Sequence, residues 1–94
     1  MSEEKIYPVK KEIAENAHIT AETYQTLYQQ SISDPDKFWS EQANQFLDWS
    51  KPWNKTVTFD YPKGEITWFQ GGKLNVSVNC LDRHLATRGD QTAI

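Results

Sequence analysis

Few residues of this 94-residue chain stand at spacings that carry chemistry. Gly71-Gly72-Lys73 comes nearest to a phosphate loop. Such a loop needs two glycines separated by four residues, then Lys and a Ser/Thr that meets magnesium. Here the glycines are adjacent and Leu74 follows the lysine, so a flexible turn entering a helix is expected. Cys80 and His84 are four apart on one expected helix and could share a face. Two ligands are too few for a four-coordinate structural zinc. A nucleophilic cysteine would need a base and a thiolate-stabilising environment, which one helix does not show. His18 has no partner near it in sequence and is expected to be solvated. Asp34 and Asp36 read as helix-capping acids rather than a cation pair. No catalytic, cofactor-binding or metal-ligating residue is therefore assigned.

The composition closes further classes. Thirteen acids against ten bases give a net charge of -3, with the signs interspersed. Nucleic acid rewards clustered Lys/Arg through counterion release, and no such stripe exists. The opening MSEEKIYPVKKEIAEN lacks the apolar core of a signal peptide. No run approaches the ~20 apolar residues of a membrane span. The single Cys80 excludes an internal disulfide framework. Asn54-Lys55-Thr56 and Asn75-Val76-Ser77 fit the glycosylation sequon by chance, given a compartment that reads as cytoplasmic.

Elements follow from caps and periodicity. Residues 1–19 are polar and read as a flexible arm, in which Lys10 to Ala17 could form a short helix. Thr20 is an N-cap with Ile19 and Tyr24 as a hydrophobic staple, which predicts a helix over about 21–30. Asp34-Pro35-Asp36 starts another, since proline at the first helical position leaves no amide unsatisfied. That helix should end near Asp48–Ser50, before Pro52. Val57, Phe59 and Tyr61 alternate with polar residues, Pro62-Lys63-Gly64 is turn chemistry, and Ile66-Thr67-Trp68-Phe69 favours extended structure. The stretch is thus either a small hairpin or a strand laid across a neighbour. A last helix is expected from Asn75 to Arg88, with Leu74, Val78, Leu81 and Leu85 on one face and Gly89 in the left-handed position after it. Thr92–Ile94 is expected to begin a strand. The fold class is mainly α with minor β, about three short helices plus an extended or hairpin segment.

The aromatic residues have the strongest pull. Twelve Phe, Trp and Tyr in so short a chain are hard to bury, because each ring removes on the order of 150–250 Å² from water. Docking onto a larger body is the expected use of Trp39, Trp49, Trp53, Trp68, Phe69, Leu81 and Leu85. Cut from that body, the chain would expose apolar surface and is expected to self-associate.

Ile66-Thr67-Trp68-Phe69, Gly71-Gly72-Lys73-Leu74-Asn75 and Asn79-Cys80-Leu81-Asp82-Arg83-His84-Leu85 together resemble the AMP-forming acetyl-CoA synthetases. Tyr24, the stretch Asp34–Trp39 and Trp49 through Trp53 match the amino-terminal extension of that family, so the likeness runs from about Tyr24 to Ile94. The resemblance implies a fragment of a larger α/β adenylate-forming enzyme. Its parent would use Mg-ATP and CoA, activating acetate as acetyl-AMP and passing the acetyl group to the CoA thiol. The phosphate loop, the ribose-binding aspartate and the late lysine of such enzymes lie downstream of these residues. On this reading residues 20–70 are the amino-terminal extension and 71–94 the start of the large AMP-binding domain. The remainder of the enzyme is then the partner, with no nucleic acid and no membrane. A propionyl-CoA or other short-chain acyl-CoA synthetase, or a stand-alone helical interaction module, are the alternatives.

Overall fold

The structure is a computed structural model that describes residues 3–94; residues 1 and 2 of the expected arm lie outside it. It divides into two compact units, one reaching to Ser33 and the other spanning Asp34–Ile94. The mainly α character with a two-stranded antiparallel ribbon agrees with the sequence reading.

In the first unit residues 3–10 have no regular structure, and helix α1 covers Lys11–Glu15. Helix α2 covers Ala21–Ser33, three residues beyond the expected end. Its cap is the one anticipated: Thr20 Oγ1 accepts from the Thr23 amide at 3.2 Å, and the two threonine hydroxyls bond at 2.8 Å. The extra length has a simple cause. Nothing before Asp34 disfavours a helix, and only the residue preceding Pro35 is pushed toward extended backbone.

The second unit opens with helix α3, Pro35–Phe46, capped by Asp34, whose carboxylate accepts from the Lys37 amide at 3.2 Å. It stops earlier than expected, because Leu47 is extended at φ -126°, ψ 143°. Strands β1 (Lys55–Asp60) and β2 (Glu65–Gln70) then pair as a hairpin, with Val57 opposite Trp68 and Phe59 opposite Ile66. A 3₁₀ turn over Tyr61–Lys63 joins them, and Gly64 takes φ 67°, where a side chain would be strained.

The single helix expected over residues 75–88 does not form. Helix α4 covers Val76–Cys80, a 3₁₀ turn covers Asp82–His84, and helix α5 covers Leu85–Arg88. The break is at Leu81, with φ -123° and ψ -66°. Asn75 caps the start as expected, accepting from the Val78 amide at 3.1 Å. Gly89 does not adopt the left-handed cap; it is right-handed at φ -58°. The expected stripe is broken with the helix, and Val78, Leu81 and Leu85 are all exposed. Residues 91–94 contain no strand, as a lone segment has no ladder partner to satisfy its amides.

The core is very small. Among the described residues only Ala43, Thr56 and Asn79 are buried, and no large side chain is fully enclosed.

Candidate functional site

Among the described residues the most closely bonded feature is a packed junction, and it is built on two buried polar side chains. Asn79, only 5% exposed, lies on α4 and reaches 31 positions back along the chain. Its Oδ1 accepts from the Asp48 amide at 2.7 Å, and its Nδ2 donates to the Asp48 carbonyl at 3.0 Å. The side-chain amide thus pairs both backbone groups of one residue, as a neighbouring strand would. Nδ2 also donates to the Asn75 carbonyl at 2.9 Å. Nearby, the Arg83 guanidinium donates to the Phe46 carbonyl at 2.8 Å. That oxygen ends α3 with no intrahelical partner, so a cation there is doubly favourable. Asn79 and Arg83 flank Leu81 and both hold residues 46–48. The two attachments anchor the chain on either side of the break at Leu81.

Thr56 is the second buried polar residue. Its Oγ1 accepts from Trp53 Nε1 at 3.1 Å and bonds the Ser40 hydroxyl at 2.6 Å, tying strand, loop and α3 together. Thr56→Val keeps the shape but strands the indole N–H and the serine hydroxyl. The expected loss is about 1–3 kcal/mol, as for leaving buried polar groups unpaired, read as a lower urea midpoint with an unchanged m-value.

Three rings cover this junction. Trp49 and Trp53 meet with centroids 4.8 Å apart, and Phe69 lies 5.4 Å from the first and 5.1 Å from the second. Trp49 Nε1 donates to the Ala43 carbonyl at 3.1 Å. Phe69 takes φ 50°, an uncommon left-handed conformation for an aromatic residue. Such strain costs on the order of 1–3 kcal/mol and persists only where surrounding contacts over-determine it.

Gly71-Gly72-Lys73 is a tightly held turn and not the flexible one expected. The Gly72 amide donates to the Phe69 carbonyl at 3.0 Å, and the Lys73 amide to the Lys51 carbonyl at 3.0 Å. The amides of Ser50 and Lys51 both donate to the Lys73 carbonyl, at 2.8 and 3.1 Å. A phosphate cradle needs free backbone N–H groups, and two of those at this turn are already committed. Gly71 sits at φ 80°, and a Cβ there would come within 2.7 Å of Asn54 Nδ2. Gly71→Ala is expected to cost about 1 kcal/mol, chiefly through the positive φ, because the exposed Asn54 side chain can swing aside. A thermal melt would show it.

The expected docking residues thus fall into different settings. Trp49, Trp53 and Phe69 are half-buried in the ring cluster, whereas Trp39, Trp68, Leu81 and Leu85 are exposed. Cys80 is an exposed free thiol, and His84 Nδ1 bonds Arg88 Nη2 at 3.0 Å, so the two do not form a pair. A shallow cleft of about 300 Å³ is lined by residues that include Cys80, Leu85 and Ala93. Among the described residues no group of three or more His, Cys, Asp or Glu could hold a metal ion, and no helix is long and apolar enough to cross a membrane. Sequence reasoning gave Asn79 and Thr56 no structural role, since Asn79 enters only within the family motif and Thr56 only within a chance sequon.

Comparison with known proteins bears on the whole chain. A family model described as acetyl-coenzyme A synthetase N-terminus matches residues 24–80. The acetyl-coenzyme A synthetase of Halorhodospira halophila is 57% identical over 94 residues, all of this chain and 15% of that protein. The Saccharophagus degradans protein of the same name is 55% identical over the same span and share. Acetyl-coenzyme A synthetase 2 of Pseudomonas aeruginosa is 50% identical, again across all of this chain and 15% of its own length.

Proposed function

The chain belongs to the acetyl-coenzyme A synthetase N-terminus family, and from that premise we propose that it is the amino-terminal scaffold of an AMP-forming acetate–CoA ligase. The whole enzyme, a cytoplasmic one, converts acetate, ATP and CoA to acetyl-CoA, AMP and pyrophosphate through acetyl-AMP. Residues 20–70 form its extension and residues 71–94 open its large AMP-binding domain. The segment itself contributes no group to the chemistry, and its partner is the remainder of the enzyme. One observation carries this reading: identity of 50–57% extends along the full 94 residues yet covers only 15% of each relative.

The internal bonding supports a scaffold role. The hydrogen bonds that give the second unit its shape run between residues 46–51 and residues 73–83, so the extension and the opening of the large domain hold each other. The amides at Gly72 and Lys73 are spent on that attachment. Alone, the segment exposes enough apolar surface to self-associate.

The test is expression of the whole reading frame that contains these residues, beside the 94-residue chain. AMP release that requires acetate, ATP and CoA is expected from the first and absent from the second. Release by the 94-residue chain alone would overturn the scaffold reading. A whole protein inert with acetate but active with propionate would replace the acetate assignment by its nearest rival.

A further inference from the structure

We propose that the exposed face of Trp39, Phe59, Ile66 and Trp68 is the seat for an apolar surface of the large remainder of the same polypeptide. This rests on the reading of the chain as the opening segment of a synthetase, and it narrows that reading to one surface. Two groups of rings stand out among residues 34–94, adjoining where Trp68 and Phe69 lie with centroids 5.8 Å apart. Trp49, Trp53 and Phe69 close on one another, and both of their indole N–H groups are satisfied inside the unit. They hold the junction together and have little left to offer a partner.

Trp39 and Trp68 behave differently. They meet edge-on with centroids 6.0 Å apart, yet remain 41% and 48% exposed. The hairpin register places Val57 opposite Trp68 and Phe59 opposite Ile66, so these four side chains share one side of the ribbon. Phe59 and Ile66 are 66% and 59% exposed. Two strands of a lone ribbon are barely stable in water, and this ribbon turns its largest apolar groups outward.

The occupant follows from charge and from chain length. Trp39, Phe59, Ile66 and Trp68 carry no charge, so the matching surface is apolar. The relatives carry these 94 residues as 15% of one polypeptide, which leaves a large body tethered beside the face. Tethering supplies an effective concentration on the order of millimolar, which saturates a contact that would be weak between separate molecules.

The experiment is hydroxyl-radical footprinting of the four tryptophans in the full-length enzyme, with Trp49 and Trp53 as internal references. Trp39 and Trp68 are expected to oxidise no faster than Trp49 and Trp53, and to stay protected on strong dilution. A Phe59→Gln variant should raise oxidation of Trp68 several-fold while leaving Trp49 unchanged. Several-fold faster oxidation of Trp39 and Trp68 in the unmodified enzyme overturns the proposal. So does protection that vanishes on dilution, which would make a second copy the occupant. Acetyl-CoA formation is measured in the same preparation. An active enzyme with both residues exposed refutes this face alone, whereas a preparation that forms no acetyl-CoA refutes the synthetase reading beneath it.

Discussion

Asn79→Ala is expected to remove about 3 kcal/mol of stability from the Asp34–Ile94 unit. Three hydrogen bonds disappear, each worth ~1 kcal/mol net, and the Asp48 amide and carbonyl lose their side-chain partner in a part-buried site. For a unit of this size that corresponds to a fall in melting temperature of roughly 12–24 °C, followed by the near-UV circular dichroism of the tryptophans. Asn79→Asp separates geometry from hydrogen bonding, since the shape is unchanged. One carboxylate oxygen still accepts from the Asp48 amide, but the other faces the Asp48 carbonyl, where the amide had donated. The charged form is therefore disfavoured in the folded state, and the introduced carboxyl has a folded pKa above its unfolded value of about 3.9. The sign of the pH dependence is then fixed. The variant is nearest to the parent chain below about pH 3.9, where the neutral acid donates to the carbonyl, and its deficit grows as pH rises through the folded pKa. A deficit that stayed constant from acid to neutral pH would refute the pairing with Asp48.

Gly72→Ala is the second large effect, and its mechanism is steric. A Cβ at this position would lie 2.8 Å from Trp49 Cζ3, 3.2 Å from Trp49 Cε3 and 3.1 Å from the Phe69 carbonyl oxygen. The indole is held by its own N–H bond to the Ala43 carbonyl and by the rings of Trp53 and Phe69. It therefore has nowhere to move without breaking one of these. Overpacking of this kind costs about 1–3 kcal/mol, and loss of the indole bond adds ~1 more. The comparison with Gly71→Ala is the informative one. There the penalty comes from backbone conformation, here from the ring, so Trp49→Phe should restore part of the Gly72→Ala loss and none of the Gly71→Ala loss. Equal rescue of both, in a double-mutant cycle read by urea unfolding, would show that the ring is not the obstacle.

Much of the local structure was legible in advance because its causes are local. Thr20, Asp34 and Asn75 each cap the helix that follows, and a cap needs only a short polar side chain beside the first orphan amides. Pro62-Lys63-Gly64 gave the hairpin its turn, and alternation around Val57 and Phe59 gave the strand. The double glycine was a visible signal too, although its meaning was not: flexibility and close packing ask for the same residue, and only the position of Trp49 distinguishes them.

The contacts that decide the second unit are long-range and leave no periodic trace. Asn79 looks like an ordinary polar interruption in VSVNCL until Asp48 is placed beside it. The spacing predicts a straight helix over residues 75–88, but it contains nothing about Asp48 or the Phe46 carbonyl, which Asn79 and Arg83 hold on either side of the break at Leu81. Likewise the seven expected docking residues were one class in the sequence because all are large and apolar. Folding separated Trp49, Trp53 and Phe69 from Trp39 and Trp68 by closing the first set over buried Thr56. The helix N-caps, the turn residues and the family are legible in the sequence, since each depends on neighbours in the chain or on the order of short motifs, whereas only the pairing of the two strands settles the hairpin over a strand laid across a neighbour. Which rings face inward, where the last helix breaks and why Gly72 is glycine rest on partners in other elements: Trp49 meets the ring of Phe69, Asn79 bonds Asp48 thirty-one residues back, and a Cβ at Gly72 would strike the Trp49 ring.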